Sequence, residues 1–185
     1  MDITEKKKHL RSVIRERKKL FDAADLQAAS AKIFQQIETL PVFQSARTVL
    51  AYWSIKGEVY THDFVRKWYK DKKIFLPIVA GNELELHQFT GMDCMVEGAS
   101  FGILEPQKGP IASADEIDLA LIPGVAFDNE ANRMGRGKAY YDKLLASAEF
   151  FRIGICFQFQ MVEQVPVDAH DIPMDRVIHD SQLRG

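Results

Sequence analysis

Apolar positions in the first forty residues recur with the spacing of an α-helix. Leu10 and Ile14 lie on one narrow apolar stripe of a very basic segment, and Asp2 followed by Glu5 resembles a capping box at its start. A second helical face is formed by five apolar residues, which are Leu26, Ala29, Ile33, Ile37 and Leu40. Pro41 lies just past its predicted end. This part of the chain is therefore predicted to form two helices.

After residue 45 the pattern alternates between strands and helices. Strands are predicted at residues 48–54, 73–79, 83–89, 117–123, 152–157 and 176–179. Thr61 can cap a helix that carries Phe64 and Trp68, and a later helix is predicted at residues 138–149. Residues 117–123 are almost continuously apolar, as in a strand buried on both faces. The alternation predicts an α/β fold, a single-domain three-layer sandwich over residues 1–185 with a largely parallel or mixed sheet and helices on both faces.

Composition narrows the class of protein. The 185 residues are 46% apolar, enough for a sizeable core, and the formal charge of −2 argues against nucleic-acid binding as the main role. The apolar runs are far shorter than the roughly 20 residues of a membrane helix, and no apolar segment follows the basic N-terminus as in a secretory signal. Cys94 and Cys156 do not form a CxxC pair, which predicts neither a zinc site nor a redox motif. We expect a protein of the reducing cytoplasm with no membrane partner.

The chemistry is concentrated in residues 123–142, which read P-G-V-A-F-D-N-E-A-N-R-M-G-R-G-K-A-Y-Y-D. This stretch follows a buried strand and leads into a helix, so a helix start supplies unpaired N–H groups to an anion. Two glycines allow close backbone approach, and three side chains add positive charge: Arg133, Arg136 and Lys138. Asp142 lies one helical turn after Lys138 and can hold magnesium beside a phosphate. Physical chemistry alone supports phosphate binding about as well as a solvated basic loop, and neither a P-loop nor a dinucleotide fingerprint is present.

The same stretch resembles a known family. P-G-x-x-F-D followed by N-R-x-G-R-G-K-x-Y-Y-D is similar to the signature of the 5-formyltetrahydrofolate cyclo-ligase family. Further matches in the same order are residues 7–11, Glu58, residues 102–106 and residues 164–171. One departure is Ala139, where the family usually has glycine; we expect Ala139 to lie in the helix, where alanine is favourable.

The resemblance implies a reaction with two substrates. ATP and 5-formyltetrahydrofolate would give 5,10-methenyltetrahydrofolate, ADP and phosphate, with Mg2+ as cofactor. Phosphorylation of the N5-formyl oxygen would turn it into a good leaving group, and N10 would then close the ring. The protein would act mainly by positioning and electrostatics, and a monomer is adequate for this chemistry.

Individual roles also follow from the resemblance. Lys7 and Arg11 would reach the ATP phosphates from the first helix. The main nucleotide loop would be formed by Arg133, Met134, Gly135, Arg136, Gly137, Lys138, Ala139, Tyr140 and Tyr141. Within this loop the catalytic residues would be Arg136, Lys138 and Tyr140. Magnesium would be held by Asp142 and Asp171.

The folate site is implied around Glu58, whose carboxylate suits the two-donor edge of a pterin. Tyr140 would face the folate. Trp53 or Tyr52 would supply an aromatic wall, and because side chains alternate along a strand, only one of them should face the site; we expect Trp53. The other basic residues of the first helix, among them Arg15 and Lys18, are interpreted as a solvated surface.

Three other functions remain open at this point. The chain can be another phosphate- or acyl-binding enzyme on a similar scaffold, such as a sugar-phosphate isomerase or a CoA-transferase-like protein. It can also be a non-catalytic folate- or nucleotide-binding protein that has retained the pocket. RNA binding through the basic first helix is a weaker alternative, because the overall charge is negative.

Overall fold

A computed structural model describes residues 2–98, 103–107 and 109–182. Five helices are present in this part of the chain: α1 (Ile3–Lys18), α2 (Ala23–Glu38), α3 (Pro41–Ser45), α4 (His62–Trp68) and α5 (Tyr140–Ser147). Its strands are β1 (Thr48–Leu50), β2 (Lys73–Ala80), β3 (Glu83–Gln88), β4 (Met95–Glu97), β5 (Leu104–Pro106), β6 (Ile111–Ala112), β7 (Leu119–Pro123), β8 (Ala126–Phe127), β9 (Arg133–Met134), β10 (Phe151–Cys156) and β11 (Arg176–His179). Gly102, part of one sequence match, lies outside the described residues.

One mixed sheet organises the domain, in the strand order β11-β10-β7-β1-β2-β3-β6. The strands from β11 to β2 are parallel to one another, and β3 and β6 extend the sheet through antiparallel pairing. Two short ribbons, β4–β5 and β8–β9, lie outside this sheet. The prediction of a largely parallel or mixed sheet is confirmed.

Both faces of the sheet are covered. Because successive side chains of a strand point to opposite faces, Leu119 and Leu121 of β7 belong to one core cluster, whereas Ala120 and Ile122 belong to another. The first cluster is completed by apolar residues of α2, α3 and α4, and the second by Leu144 and Leu145 of α5. The three-layer arrangement is therefore confirmed.

The helix α1 covers neither face as a main layer. Its capping box is present, with the Glu5 backbone N–H donating to Asp2 Oδ1 at 2.8 Å. Ile14 is buried in a small separate cluster with Ala126, Met134 and Val165. This contact places α1 beside the loop that follows β7.

Several predicted boundaries were wrong. The strand predicted at residues 48–54 ends at Leu50, because Ser54 exchanges two hydrogen bonds with Thr61, from Ser54 N to Thr61 Oγ1 (3.1 Å) and from Thr61 N to Ser54 Oγ (3.0 Å). The Thr61 hydroxyl donates to the Tyr52 carbonyl and does not cap α4. Pro41 starts the short helix α3, as expected for a proline at a first helical position.

Within residues 2–98, 103–107 and 109–182, no helix combines the length and apolar character needed to cross a membrane.

Candidate active site

The site lies where two neighbouring strands send the chain in opposite directions. From β1 the chain passes through α4 to β2 on one side, and from β7 it passes through α5 to β10 on the other. In an open α/β sheet such a divergence leaves a crevice at the carboxyl ends of the two strands, where ligands bind. The loops that follow β1 and β7 contain Trp53, Glu58 and residues 133–142, so the fold brings the main predicted site residues together.

A first cavity of about 320 Å³ opens in this crevice. Its walls are mostly apolar and aromatic and include Trp53, Leu76, Leu84 and Leu104, and residues 135–142 also line it. The volume lies at the lower end of the range for a single small-molecule ligand. The cavity therefore has room for one aromatic ligand rather than for two large substrates.

A second cavity of about 330 Å³ lies beside the first and has a different lining. Four basic side chains line it, from α1 and from the loop after β9: Arg11, Arg15, Lys18 and Arg136. Among the described residues that line it, Glu58 is the one with an acidic side chain. The excess of positive charge makes this cavity suited to a polyanion.

The two cavities share a wall that contains an ion pair. Arg136 Nη2 lies 2.6 Å from Glu58 Oε1, and both residues line both cavities. The carboxylate is fixed further by the Ile55 backbone N–H, which donates to Glu58 Oε2 at 3.0 Å. The predicted phosphate-binding residue and the predicted pterin-binding residue are thus each other's partners.

The side chain of Arg133 is buried and has partners within the site. Its side chain is 3% exposed and donates to Asp142 Oδ1 at 2.6 Å and to the Pro123 carbonyl at 3.0 Å. A Cβ added at Gly135 would lie 3.0 Å from Arg133 Nη1, so the backbone packs directly on the guanidinium. This geometry makes Arg133 a support for Asp142 and for the loop, and its contact with ATP stays a prediction.

The expectation for Ala139 was wrong. Ala139 is the residue before α5 and has φ +57° and ψ +11°, the left-handed conformation that alanine disfavours. The helix begins at Tyr140 and not at Lys138 as predicted, because the backbone angles of Gly137 (φ +92°) and Ala139 lie outside the helical region. The chain holds a strained residue where it turns from the loop into the helix.

Lys7 connects the first helix to the C-terminal part of the chain. Its Nζ lies 2.8 Å from Asp168 Oδ2 and 2.6 Å from Asp171 Oδ2. Partial burial lowers the pKa of Lys7, but its hydrogen bonds and its attraction to the two carboxylates outweigh this effect and raise it. The hydrogen bond from Lys7 is also the main reason that the pKa of Asp168 is lowered. Lys7 therefore stays protonated and positioned beside Asp171.

The predicted magnesium ligands each have a basic partner: Arg133 for Asp142 and Lys7 for Asp171. Among the described residues, no group of three or more His, Cys, Asp or Glu side chains can hold a metal. Magnesium in nucleotide sites is usually held by one or two carboxylates together with phosphates and water. Of the two aspartates, Asp142 lines the first cavity and Asp171 is in the lining of neither, so a site that uses them would depend on phosphates and water for its other ligands.

The expectation that only one aromatic residue faces the site was also wrong. Tyr52 and Trp53 both line the first cavity, because strand pairing ends at Leu50 and strict alternation of side chains is lost. Tyr52 is buried and its hydroxyl donates to the Val59 carbonyl at 3.3 Å. Trp53 stacks on His62, with the ring centres 3.8 Å apart.

Sequence reasoning missed two residues of the second cavity, Arg15 and Lys18. A signal for them was present, because Lys7, Arg11, Arg15 and Lys18 follow one another at helical spacings of four, four and three residues. What sets these residues apart is their placement on one face of α1, since Arg15 lines the second cavity although its side chain is 72% exposed.

Comparison with known proteins shows the family of this chain. The model of the 5-formyltetrahydrofolate cyclo-ligase family matches residues 3–180. The 5-formyltetrahydrofolate cyclo-ligase of Mus musculus is 26% identical over 94% of this chain and 93% of its own, and that of Haemophilus influenzae is 28% identical over 92% and 96%.

Solved structures give the same result. The 5,10-methenyltetrahydrofolate synthetase of Aquifex aeolicus superposes with a TM-score of 0.84 at 35% identity, covering 93% of this chain and 88% of that one. A 5,10-methenyltetrahydrofolate synthetase of Mycoplasma pneumoniae, at 24% identity and a TM-score of 0.76, shares the fold over 94% and 98% of the two chains. The resemblance first seen between residues 123 and 142 thus extends over nearly the whole chain, which belongs to the 5-formyltetrahydrofolate cyclo-ligase family of enzymes.

Proposed function

We propose that this protein converts 5-formyltetrahydrofolate to 5,10-methenyltetrahydrofolate with ATP, releasing ADP and phosphate. The observation that carries the proposal is the pair of cavities that meet at Glu58 and Arg136. A reaction that transfers a phosphoryl group between two large substrates needs two subsites with a common wall. The names of the relatives supply the folate substrate, and the charge of the second cavity supports the nucleotide.

The two chemical steps of this reaction define what the site must do. The formyl oxygen attacks the γ-phosphorus of ATP, and the bond from that phosphorus to the bridging oxygen of ADP breaks. N10 then attacks the activated formyl carbon and loses its proton, and phosphate leaves with the former formyl oxygen. The protein has to hold the oxygen and phosphorus in line and stabilise charge on the phosphoryl oxygens.

Charge assigns one substrate to each cavity. The second cavity has four cations against one carboxylate and would take the triphosphate, with Arg11 and Arg136 as phosphate ligands. The first cavity has aromatic and aliphatic walls and would take the pterin, with Glu58 accepting from its N–H edge and Trp53 beside the ring. Tyr140 and Lys138 face the first cavity from the loop and would contact the reacting end of the folate.

Magnesium would be held by Asp142 and Asp171, with the phosphates as further ligands. When bound it would neutralise charge on the phosphate oxygens. The chain's own part is to keep both carboxylates ionised and positioned, through Arg133 for Asp142 and Lys7 for Asp171. We take the protein to act as a monomer in a reducing cytoplasm, where its two buried, unpaired cysteines would stay reduced.

One assay tests the proposal. Purified protein is mixed with 5-formyltetrahydrofolate and magnesium-ATP, and the methenyl product is followed by its absorbance. Product is expected from the native protein and a large loss of rate from Arg136→Ala, with unchanged thermal unfolding as the control for folding. A folded native protein that binds both ligands and forms no product would support the non-catalytic alternative instead.

A further inference from the structure

One basic residue of α1 approaches the shared wall of the two cavities without a role in the proposed reaction. Lys18 is the last residue of α1 and lines the second cavity together with Arg11, Arg15 and Arg136. Its ammonium group donates to the Lys56 carbonyl at 3.3 Å, two residues before Glu58. Lys18 therefore reaches from the helix into the loop that carries the ion pair.

The end of the Lys18 side chain lies directly against the backbone of this loop. Gly57 has φ +82°, and a Cβ added there would lie 1.8 Å from both Cε and Nζ of Lys18. A larger residue at position 57 would displace the end of the Lys18 side chain. The glycine therefore lets Lys18 approach the loop closely and donate to the Lys56 carbonyl.

Lys18 also lacks a partner of opposite charge. Within the part of the chain that the structure describes, it forms no ion pair, whereas the next residue, Lys19, pairs with Glu16 at 2.7 Å. Burial lowers the pKa of Lys18, and the nearby Arg136 acts in the same direction while Glu58 opposes it. A partly desolvated ammonium group beside another cation is stabilised most by an anion bound in the cavity.

We propose that Lys18 is a further phosphate-binding residue, which contacts the triphosphate of the nucleotide in the second cavity together with Arg11 and Arg136. The inference rests on the proposed function and deepens it, because it names a ligand to the nucleotide that the family resemblance did not supply. When a phosphate engages Arg136, Lys18 places a second positive charge on the same side of the shared wall. Its contribution is to binding, since it lies on the nucleotide side of Glu58.

The test compares Lys18→Met with Lys19→Met, which removes the same charge one residue further along the chain. The KM for ATP is expected to rise about tenfold in Lys18→Met, as for the loss of one hydrogen bond to a charged group, with kcat within about twofold and the KM for the folate unchanged. Lys19→Met is expected to match the native protein. Lys18→Arg should restore most of the affinity, because it retains the charge.

A second measurement does not depend on turnover. Inorganic tripolyphosphate is titrated calorimetrically into the native protein and both methionine variants, and only Lys18→Met should bind it about tenfold more weakly. Thermal unfolding checks that the variant is folded, and Lys18→Gln replaces it if it is not. If the native protein binds tripolyphosphate more tightly than Lys18→Met does but makes no product, the proposed reaction is contradicted and phosphate binding by Lys18 is still supported.

Two outcomes would overturn the inference. In the first, Lys18→Met and Lys19→Met are equal in both measurements. In the second, the KM for a folate with a polyglutamate tail rises while ATP and tripolyphosphate are unaffected, which would assign Lys18 to the carboxylates of the folate.

Discussion

If the proposed function is right, the ion pair between Glu58 and Arg136 predicts that the two proposed substrates strengthen each other's binding. In this structure Arg136 Nη2 and Glu58 Oε1 are paired with each other at 2.6 Å. A nucleotide that takes Arg136 breaks the pair and releases Glu58, so the folate that follows no longer has to break it. The same holds in the opposite order, because coupling between two binding sites is reciprocal.

The size of the effect follows from the exposure of the pair. Arg136 is 57% exposed and Glu58 18%, so the pair belongs with surface ion pairs, which contribute about 0.2–1 kcal/mol. The short contact and the fixed carboxylate place it near the upper value, and 1 kcal/mol corresponds to about a fivefold change in affinity. The dissociation constant of 5-formyltetrahydrofolate is therefore expected to fall by about twofold to fivefold when a non-hydrolysable ATP analogue saturates the protein.

Isothermal titration calorimetry of the native protein and of Glu58→Gln measures this coupling. In Glu58→Gln the ratio of the two dissociation constants should approach one, and the analogue itself should bind up to about fivefold more tightly because Arg136 is already available. Equal folate affinity with and without the analogue in the native protein would refute the reasoning. So would a ratio that survives unchanged in Glu58→Gln, because the coupling would then have another source.

Three further predictions concern stability. Gly154→Ala should lower the free energy of unfolding in urea by about 1–3 kcal/mol, because its Cβ would lie 2.4 Å from Phe127 in the core; unchanged stability would show that this contact relaxes freely. Ala139→Gly removes a left-handed alanine, which costs about 1–2 kcal/mol, and adds a conformational entropy cost of about 0.5–1 kcal/mol. A net gain of up to about 1.5 kcal/mol is therefore expected in the same measurement, and a clear loss would contradict it. His62 stacks on Trp53, and its burial lowers its pKa below the ordinary value of 6.5. The unfolded chain therefore binds more protons than the folded protein when the pH is below 6.5, and the free energy of unfolding falls as the pH drops through that range. His62→Gln should lose less stability than the native protein between pH 8 and pH 5.5, and parallel pH curves would exclude this role for His62.

The central layers of the fold could be predicted from the sequence, because buried positions are occupied by apolar residues in a recognisable pattern. β7 is buried on both faces and reads as a continuous apolar run, and α2 reads as a stripe at helical spacing. The ribbon β4–β5 and the two residues of β6 are too short to show a periodic pattern of apolar and polar residues. Their positions depend on partners elsewhere in the chain.

The sequence supports a prediction of the chemistry of the loop, but it gives no sign of the side-chain pairings there. The residue types between 133 and 142 indicate a phosphate site, whereas the contact of Arg133 with Asp142 and that of Glu58 with Arg136 are three-dimensional facts. Ala139 shows the same limit, because the sign of its φ angle is set by how the loop enters α5. The departure from glycine at this position was the one sequence sign of strain.

The contacts of α1 have a consequence for synthesis of the chain. Lys7 is made before its partners Asp168 and Asp171, which leave the ribosome some 160 residues later, and the partners of Ile14 at Met134 and Val165 follow it by about 120 and 150 residues. These contacts of the first helix therefore form late in synthesis. Because α1 lines the second cavity, that cavity is incomplete in a nascent chain until almost the whole domain has emerged.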